Sequence, residues 1–276
     1  MMRAELHIHT LYSDGLLTPE DVINFAKQNG VNLISVTDHD CMGASKIIKN
    51  LAIDAGICAV DGIEISAYEG VKVHVLGYNV NTECEQFKAY YARCVYGAEQ
   101  RVLDSLKKLA RRGIHLTLQD VERERKIKTS PLHSSYVARA ASRKGYSSSP
   151  YKFYVDYLNM GKCAYSDLCR PTPEEAVKII TDCGGVASLA HPGRVSLSNE
   201  NKIELITRLI NCGLRGIEAC YSGHTIGETA YFKELAERFS LFISGGSDTH
   251  FKEGNRRIGT PEFYPDEKLL SALKII

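Results

Sequence analysis

His7-Ile8-His9 lies in the segment Ala4–Thr10, which reads as a strand. Residues i and i+2 of a strand share a face, so both imidazoles can reach one metal ion. Asp14 follows in a Ser-Asp-Gly loop. Asp38-His39 closes the apolar run Leu33–Thr37, Glu64 ends Ile57–Ile65, His74 lies in Val71–Tyr78, and His191 follows Val186–Ala190. Asp248-Thr249-His250 comes after Leu241–Ser244 and repeats the i, i+2 spacing. Any one of these residues, alone, could be a capping carboxylate or a satisfied core histidine. Together they place a metal-competent group at one end of strand after strand, and buried Asp, Glu and His are costly unless paired or ligated. The set His7, His9, Asp14, His39, Glu64, His74, His191, Asp248 and His250 therefore reads as a metal site. No cysteine joins it. Imidazole with carboxylate suits Mn²⁺, Zn²⁺ or Fe²⁺. No Ser-His-Asp or Cys-His arrangement competes to supply a protein nucleophile.

Rigid elements must hold such a set. The seven apolar runs Ala4–Thr10, Leu33–Thr37, Ile57–Ile65, Val71–Tyr78, Val186–Ala190, Gly216–Cys220 and Leu241–Ser244 alternate with helical patterns. That order predicts an α/β fold, a parallel sheet or a distorted seven-stranded barrel. Thr18-Pro19-Glu20 and Thr172-Pro173-Glu174-Glu175 are helix starts, with Thr as N-cap and Pro at the first turn. Gly30 and Gly184 close those two helices. The runs carrying Glu64 and His74 are joined by too few residues for a parallel crossover, so they form a hairpin. The alternation stops over 81–170, which reads as helical: 83–112 ended by Gly113, then 118–125, 133–144 and 150–159. We read residues 1–80 and 171–276 as the barrel and 81–170 as a helical insertion that caps the substrate.

The chain's 276 residues suit one such domain with an insertion, and 44% hydrophobic with 24% charged residues is ordinary for a globular protein. No apolar run reaches bilayer length, and no membrane role is expected. The strand-like start leaves no room for a signal peptide. Nine cysteines without a Cys-x-x-Cys pair read as reduced thiols in a cytoplasm, not a disulfide framework. The net charge of +1 is uneven: residues 83–170 carry 17 basic and 9 acidic residues, against 17 and 24 elsewhere. A basic middle with acidic flanks suits an anionic partner, though it also suits a solvated helical surface. Nine of the fifteen tyrosines interleave with those basic residues, a pattern compatible with phosphate contacts and base stacking or with helix packing.

The ordered series His7-x-His9, Asp14, Thr37-Asp38-His39, Glu64, His74, Ala190-His191-Pro192 and Asp248-x-His250 resembles the PHP (polymerase and histidinol phosphatase) superfamily over essentially the whole chain. The resemblance implies a distorted (β/α)7 barrel and a metal-dependent phosphoesterase with two to three divalent ions, Mn²⁺ foremost. One ion would take His7, His9, Glu64 and Asp248. A second would share Glu64 and add His74 and His191, and a third would take Asp14, His39 and His250. Asp38, His191 and His250 are the candidate catalytic groups, with Asp38 and Asp40 also supporting the ligands. Metal-activated hydroxide would attack phosphorus in line. His133 with its small-residue helix, Tyr154–Leu158, and Gly216-Ile217-Glu218 before Tyr221–His224 resemble the branch of nucleoside 3′,5′-bisphosphate phosphatases and 5′-to-3′ exoribonucleases. An Arg usual in that branch shortly before His133 is replaced by Ser130-Pro131-Leu132, so Lys128, Arg139 or Arg194 would meet the substrate phosphate. His133 and His224 complete the expected substrate contacts. The expected partner is a nucleotide or short single-stranded nucleic acid, with no obligate protein partner. The alternatives are a small-metabolite phosphatase such as histidinol phosphatase, or a non-catalytic metal-binding module.

Overall fold

The computed structural model describes residues 2–252 and 256–276. Seven strands form one sheet in chain order: β1 (Ala4–Ile8), β2 (Leu33–Val36), β3 (Cys58–Glu69), β4 (Val71–Tyr78), β5 (Val186–Leu189), β6 (Leu214–Tyr221) and β7 (Phe242–Gly246). All neighbours are parallel except β4, which is antiparallel to β3 and β5. The expected hairpin is thus present, and β4 is the one reversed stave. The sheet curls until its ends meet. Ile8 bridges Thr249 in parallel, His7 O accepts from Asp248 N (2.9 Å), and His9 N donates to Thr249 O (3.0 Å). The barrel is closed through residues of the metal-competent set.

The helices are α1 (Pro19–Gln28), α2 (Ser45–Ala55), α3 (Glu85–Ala110), α4 (Leu118–Glu122), α5 (Ser134–Arg143), α6 (Pro150–Phe153), α7 (Pro173–Asp182), α8 (Asn199–Asn211), α9 (Ile226–Arg238) and α10 (Glu267–Ala272). Capping boxes at Thr18 and Thr172 start α1 and α7, and Gly30 and Gly184 adopt positive φ just beyond them. Between β4 and β5 the chain forms α3 to α6 and a wide turn at Tyr154–Leu158. These pack around an apolar core of their own that includes Val102, Leu109, Tyr136, Val137, Phe153 and Leu158.

Strand alternation sorts the barrel. Ile34, Val36, Ile63, Val75 and Ile217 face the apolar layers under the helices. Glu5, His7, Glu64, Ser188, Glu218 and Ser244 occupy the other face and are fully buried. The Ser188 and Ser244 hydroxyls are 2.8 Å apart although β6 separates their strands, and Tyr78 OH reaches Leu6 O on the far side. The lumen is therefore polar toward the mouth, where small serines on some staves make room for His and Glu on others, and apolar below it, where Val60, Leu76, Val186 and Phe242 continue the same strand faces.

The cysteine expectation needs correction. Cys84, at the start of α3, is disulfide-bonded to Cys183, at the end of α7. The two are 99 residues apart, so no local spacing signals the pair. The other seven cysteines are free. Among the described residues, no helix is long and apolar enough to cross a membrane.

Candidate metal centre and substrate cleft

The nine residues converge at the barrel mouth. Glu64 is central. Its Oε1 meets His74 Nδ1 (2.8 Å) and His191 Nε2 (2.9 Å); its Oε2 meets His39 Nδ1 (3.0 Å), His9 Nε2 (3.2 Å) and His7 Nε2 (3.4 Å). Asp248 Oδ1 lies 3.3 Å from His9 Nε2 and 3.6 Å from His7 Nε2. Asp14 Oδ1 lies 3.2 Å from His250 Nε2. Four sets of donor atoms lie close enough to share an ion: His9–Asp14–His39–His250, His7–His9–Asp248, His7–Glu64–His191 and His39–Glu64–His74. The first two agree with the grouping the resemblance implies, save that His9 joins the Asp14 set and Glu64 is absent from the Asp248 set. The expected set of Glu64, His74 and His191 is divided, with His191 beside His7 and His74 beside His39.

The donor set fits divalent cations. His7 Nε2 and His9 Nε2 face each other at 3.1 Å, an arrangement that needs a proton or a cation between them. Asp14 Oδ1, Glu64 Oε2 and His191 Nδ1 are buried without a hydrogen bond of good geometry. Burial by itself raises the Glu64 carboxyl, but His74, His39 and His7 outweigh it and hold it well below the usual range. Asp248 is likewise held low against burial, chiefly by His250 and His7. Concentrated negative charge with imidazoles in place is a cation site.

Supporting contacts aim the ligands. Glu218 Oε1 meets His7 Nδ1 (2.9 Å), which leaves Nε2 for an ion, and Glu218 Oε2 accepts from His191 N (2.7 Å). His250 Nδ1 donates to Asp248 O (2.9 Å), leaving its Nε2 toward Asp14. Partners of this kind fix ring tautomer and raise ligand basicity. Glu218→Gln should accordingly weaken metal affinity by about 10- to 100-fold, measured by titration against a competing chelator; unchanged affinity would remove Glu218 from the site. Three site residues hold backbone conformations unusual for L side chains: His191 (φ 24°), Asp40 (φ 52°) and Asp248 (φ 53°).

Asp38 is placed for the supporting role, the other of the two expected of it. Its Oδ1 accepts from Thr10 N (2.7 Å) and Ser13 Oγ (2.6 Å), and its Oδ2 from Thr10 Oγ1 (2.6 Å). It is buried and anchors the loop that carries Asp14. Asp40 similarly accepts from Ser66 N and Tyr90 OH, both at 2.8 Å, tying α3 to the mouth.

A cavity of about 790 Å³ opens above the cluster, lined by Asp14, His39, Glu64, His74, His191 and His250 below and by α3, α5 and the 149–170 segment above. His133 lines it and caps α5; its Nδ1 accepts from Ser135 N, so the proton sits on Nε2. Burial pushes its pKa down to about 4, so the ring is a neutral donor at physiological pH. Arg139 lines the cavity while donating to Asp14 O (2.7 Å). Arg194 lines it too, and donates to Asp248 Oδ2 (3.0 Å) and Tyr221 OH (3.2 Å). Lys128 lies elsewhere: it is exposed and bonds Glu122 O. His224 is also outside, accepting from Gly193 N and donating to Ala219 O, where it braces the turn after His191. Sequence reasoning missed Lys72, Arg101, Arg170 and Arg256, all of which line the cavity. Lys72 alone carried a local signal, sharing a strand face with His74.

A seven-stranded barrel with this cluster at its mouth defines a metal-dependent hydrolase. The comparisons make the class specific. The PHP domain model matches residues 5–161. A phosphoribosyl 1,2-cyclic phosphate 1,2-diphosphodiesterase of Eggerthella lenta is 34% identical, covering 92% of this chain and 96% of the relative. A 3′,5′-nucleoside bisphosphate phosphatase of Chromobacterium violaceum is 30% identical, covering 96% and 93%. A solved amidohydrolase structure from Chromobacterium violaceum, with bound sulfate and no metal, superimposes with a TM-score of 0.87 at 27% identity, covering 99% and 96%. The chain belongs to the PHP domain family and is a phosphoesterase.

Proposed function

We propose that this phosphoesterase hydrolyses a phosphate ester on a nucleotide or phosphorylated pentose, using two to three divalent ions, Mn²⁺ foremost. The observation that carries this reading is the junction of an anionic, imidazole-rich floor with a cationic cleft wall, both in one cavity. Such ions supply an activated water and neutralise phosphoryl charge. His7, His9, Glu64 and Asp248 would hold one, with His74, His191, Asp14, His39 and His250 holding the others. His133 donates from Nε2 to a phosphoryl or leaving oxygen. Arg194 fixes Asp248 and clamps a phosphoryl oxygen, and the helices over 81–170 limit water access from above. The relatives' names support both a phosphate monoester of a nucleoside 3′,5′-bisphosphate and a cyclic phosphodiester as the reacting group.

The test is turnover with Mn²⁺ by wild type and His9→Ala on adenosine 3′,5′-bisphosphate, phosphoribosyl 1,2-cyclic phosphate, a 5′-phosphorylated RNA oligomer and histidinol phosphate. Hydrolysis of one of the first three, abolished in the variant, is the expected result. Turnover of histidinol phosphate alone, or of none, sinks the proposal.

A further inference from the structure

The donor sets of the metal centre differ in what holds them. Among the described residues, the side chains that bond His7, His191 and Asp248 without belonging to those sets are Glu5, Glu218, Arg194, Tyr221 and Arg256. All five lie outside 81–170. Asp14 is held from two sides. Below it, Asp38 anchors the loop after β1, and Leu16 N donates to His250 O (2.7 Å). Above it stands α5. Tyr136 OH donates to Ser13 O, and Arg139 Nη2 donates to Asp14 O (2.7 Å). The Arg139 guanidinium also lies over the Tyr136 ring, 5.5 Å from its centre.

Those two carbonyls belong to the peptide units on either side of the Asp14 Cα. Each unit is planar, so holding both fixes φ and ψ of Asp14 and with them the direction of its Cβ. Only the side-chain torsions then remain to aim the carboxylate, whose Oδ1 lies buried 3.2 Å from His250 Nε2. His39, in the same donor set, also meets the insertion. The His133 ring stacks on it at 5.5 Å and 9°, and Tyr90 OH of α3 donates to the neighbouring Asp40 (2.8 Å). Tyr136 itself is buried in the insertion's own apolar core, with Val137, Phe153 and Leu158. Its hydroxyl therefore links that core directly to the Asp14 loop.

We propose that the insertion is a structural part of one ion position. Tyr136 and Arg139 are positioning residues for the His9–Asp14–His39–His250 set, and an ion there is held tightly only while α5 is seated on the loop. The inference rests on the metal-dependent reading above and gives the insertion a role besides covering the substrate. By linkage the coupling runs both ways. Filling that position holds α5 down, whereas the positions built on Glu64 and Asp248 are set by the barrel.

The test counts ions rather than turnover. Equilibrium dialysis against graded free Mn²⁺, followed by elemental analysis, gives the number and affinity of the bound ions. Tyr136→Phe keeps the ring in its core and Arg139→Met keeps the aliphatic stem, so each removes one carbonyl contact. Each should weaken one ion, and only one, by about tenfold or more, the scale for losing a ligand's supporting partner. His250→Ala, which deletes a ligand, should lose that same ion, and on that background the two substitutions should leave the remaining affinities unchanged. Weakening of every ion alike, or of the remaining ions on the His250→Ala background, is general loosening of the fold and overturns the proposal. Affinities unmoved by both substitutions overturn it too. The wild-type protein supplies a second measurement that needs no variant. Amide hydrogen exchange over α5 should slow by about tenfold or more when Mn²⁺ is added to chelated protein, and equal exchange in the two states overturns the coupling. If His250→Ala loses no ion, the metal-centre assignment itself fails and this inference falls with it.

Discussion

Glu64→Gln should lower kcat/KM by at least about 1,000-fold, equivalent to about 4 kcal/mol of transition-state stabilisation. Its two oxygens lie within 3.4 Å of five imidazoles, and it belongs to two of the four donor sets. The amide keeps the shape but removes the charge and turns one acceptor into a donor aimed at the cations. Elemental analysis should show fewer bound ions per chain, with the fold intact by circular dichroism. Full metal content with less than a tenfold loss of rate would show that Glu64 is not the shared centre.

Exhaustive chelation should abolish turnover and make stability depend on pH in a way the loaded enzyme does not share. In the ion-free protein burial works against charge on His9, but Asp248 and Glu64 outweigh it and raise its pKa from 6.5 to about 10. His7 is raised well above 6.5 against the same burial, by Glu218, Glu64 and Asp248. Protons stand in for the missing cations. A histidine whose folded pKa exceeds its unfolded value stabilises fully below about 6.5 and loses that contribution as pH rises toward about 10. Thermal denaturation of ion-free protein should therefore shift to lower temperature between pH 6.5 and 10. With ions bound, the imidazoles are already neutral and that slope should flatten. Two ions at 100 times their Kd add about 2.7 kcal/mol each, or about 10 °C in Tm for a chain of this size. Equal Tm with and without chelator across this range would refute a structural contribution from the ions.

The sequence made the strands and the ligand series legible because both are local. Seven apolar runs became seven strands, and the i, i+2 spacing put His7 and His9 on one buried face. Thr18 and Thr172 showed where helices begin because N-caps are written in adjacent residues. What the sequence hid is long-range. The Cys84–Cys183 pair, the clamp of Glu218 on His7 and the convergence of Lys72 with Arg170 all join distant positions. Charge alone could not separate Lys128 from Arg139, since both are basic residues of the same helical stretch. The fold turns one outward and the other onto the Asp14 loop.

The reversed stave has a consequence for how the molecule could change. Because β4 points down the barrel, the chain leaves it at the end away from the metal centre, beside Cys183. The 26 residues of α3 carry it back to the mouth as one rod about 39 Å long. Each residue added to or removed from that rod moves everything above it by about 1.5 Å and rotates it by about 100°. The upper wall of the cleft is thus indexed to the lower one like a crane jib on a ratcheted mast. Length changes in α3 should alter substrate choice in discrete steps, while the loops between α4, α5 and α6 remain free to vary smoothly.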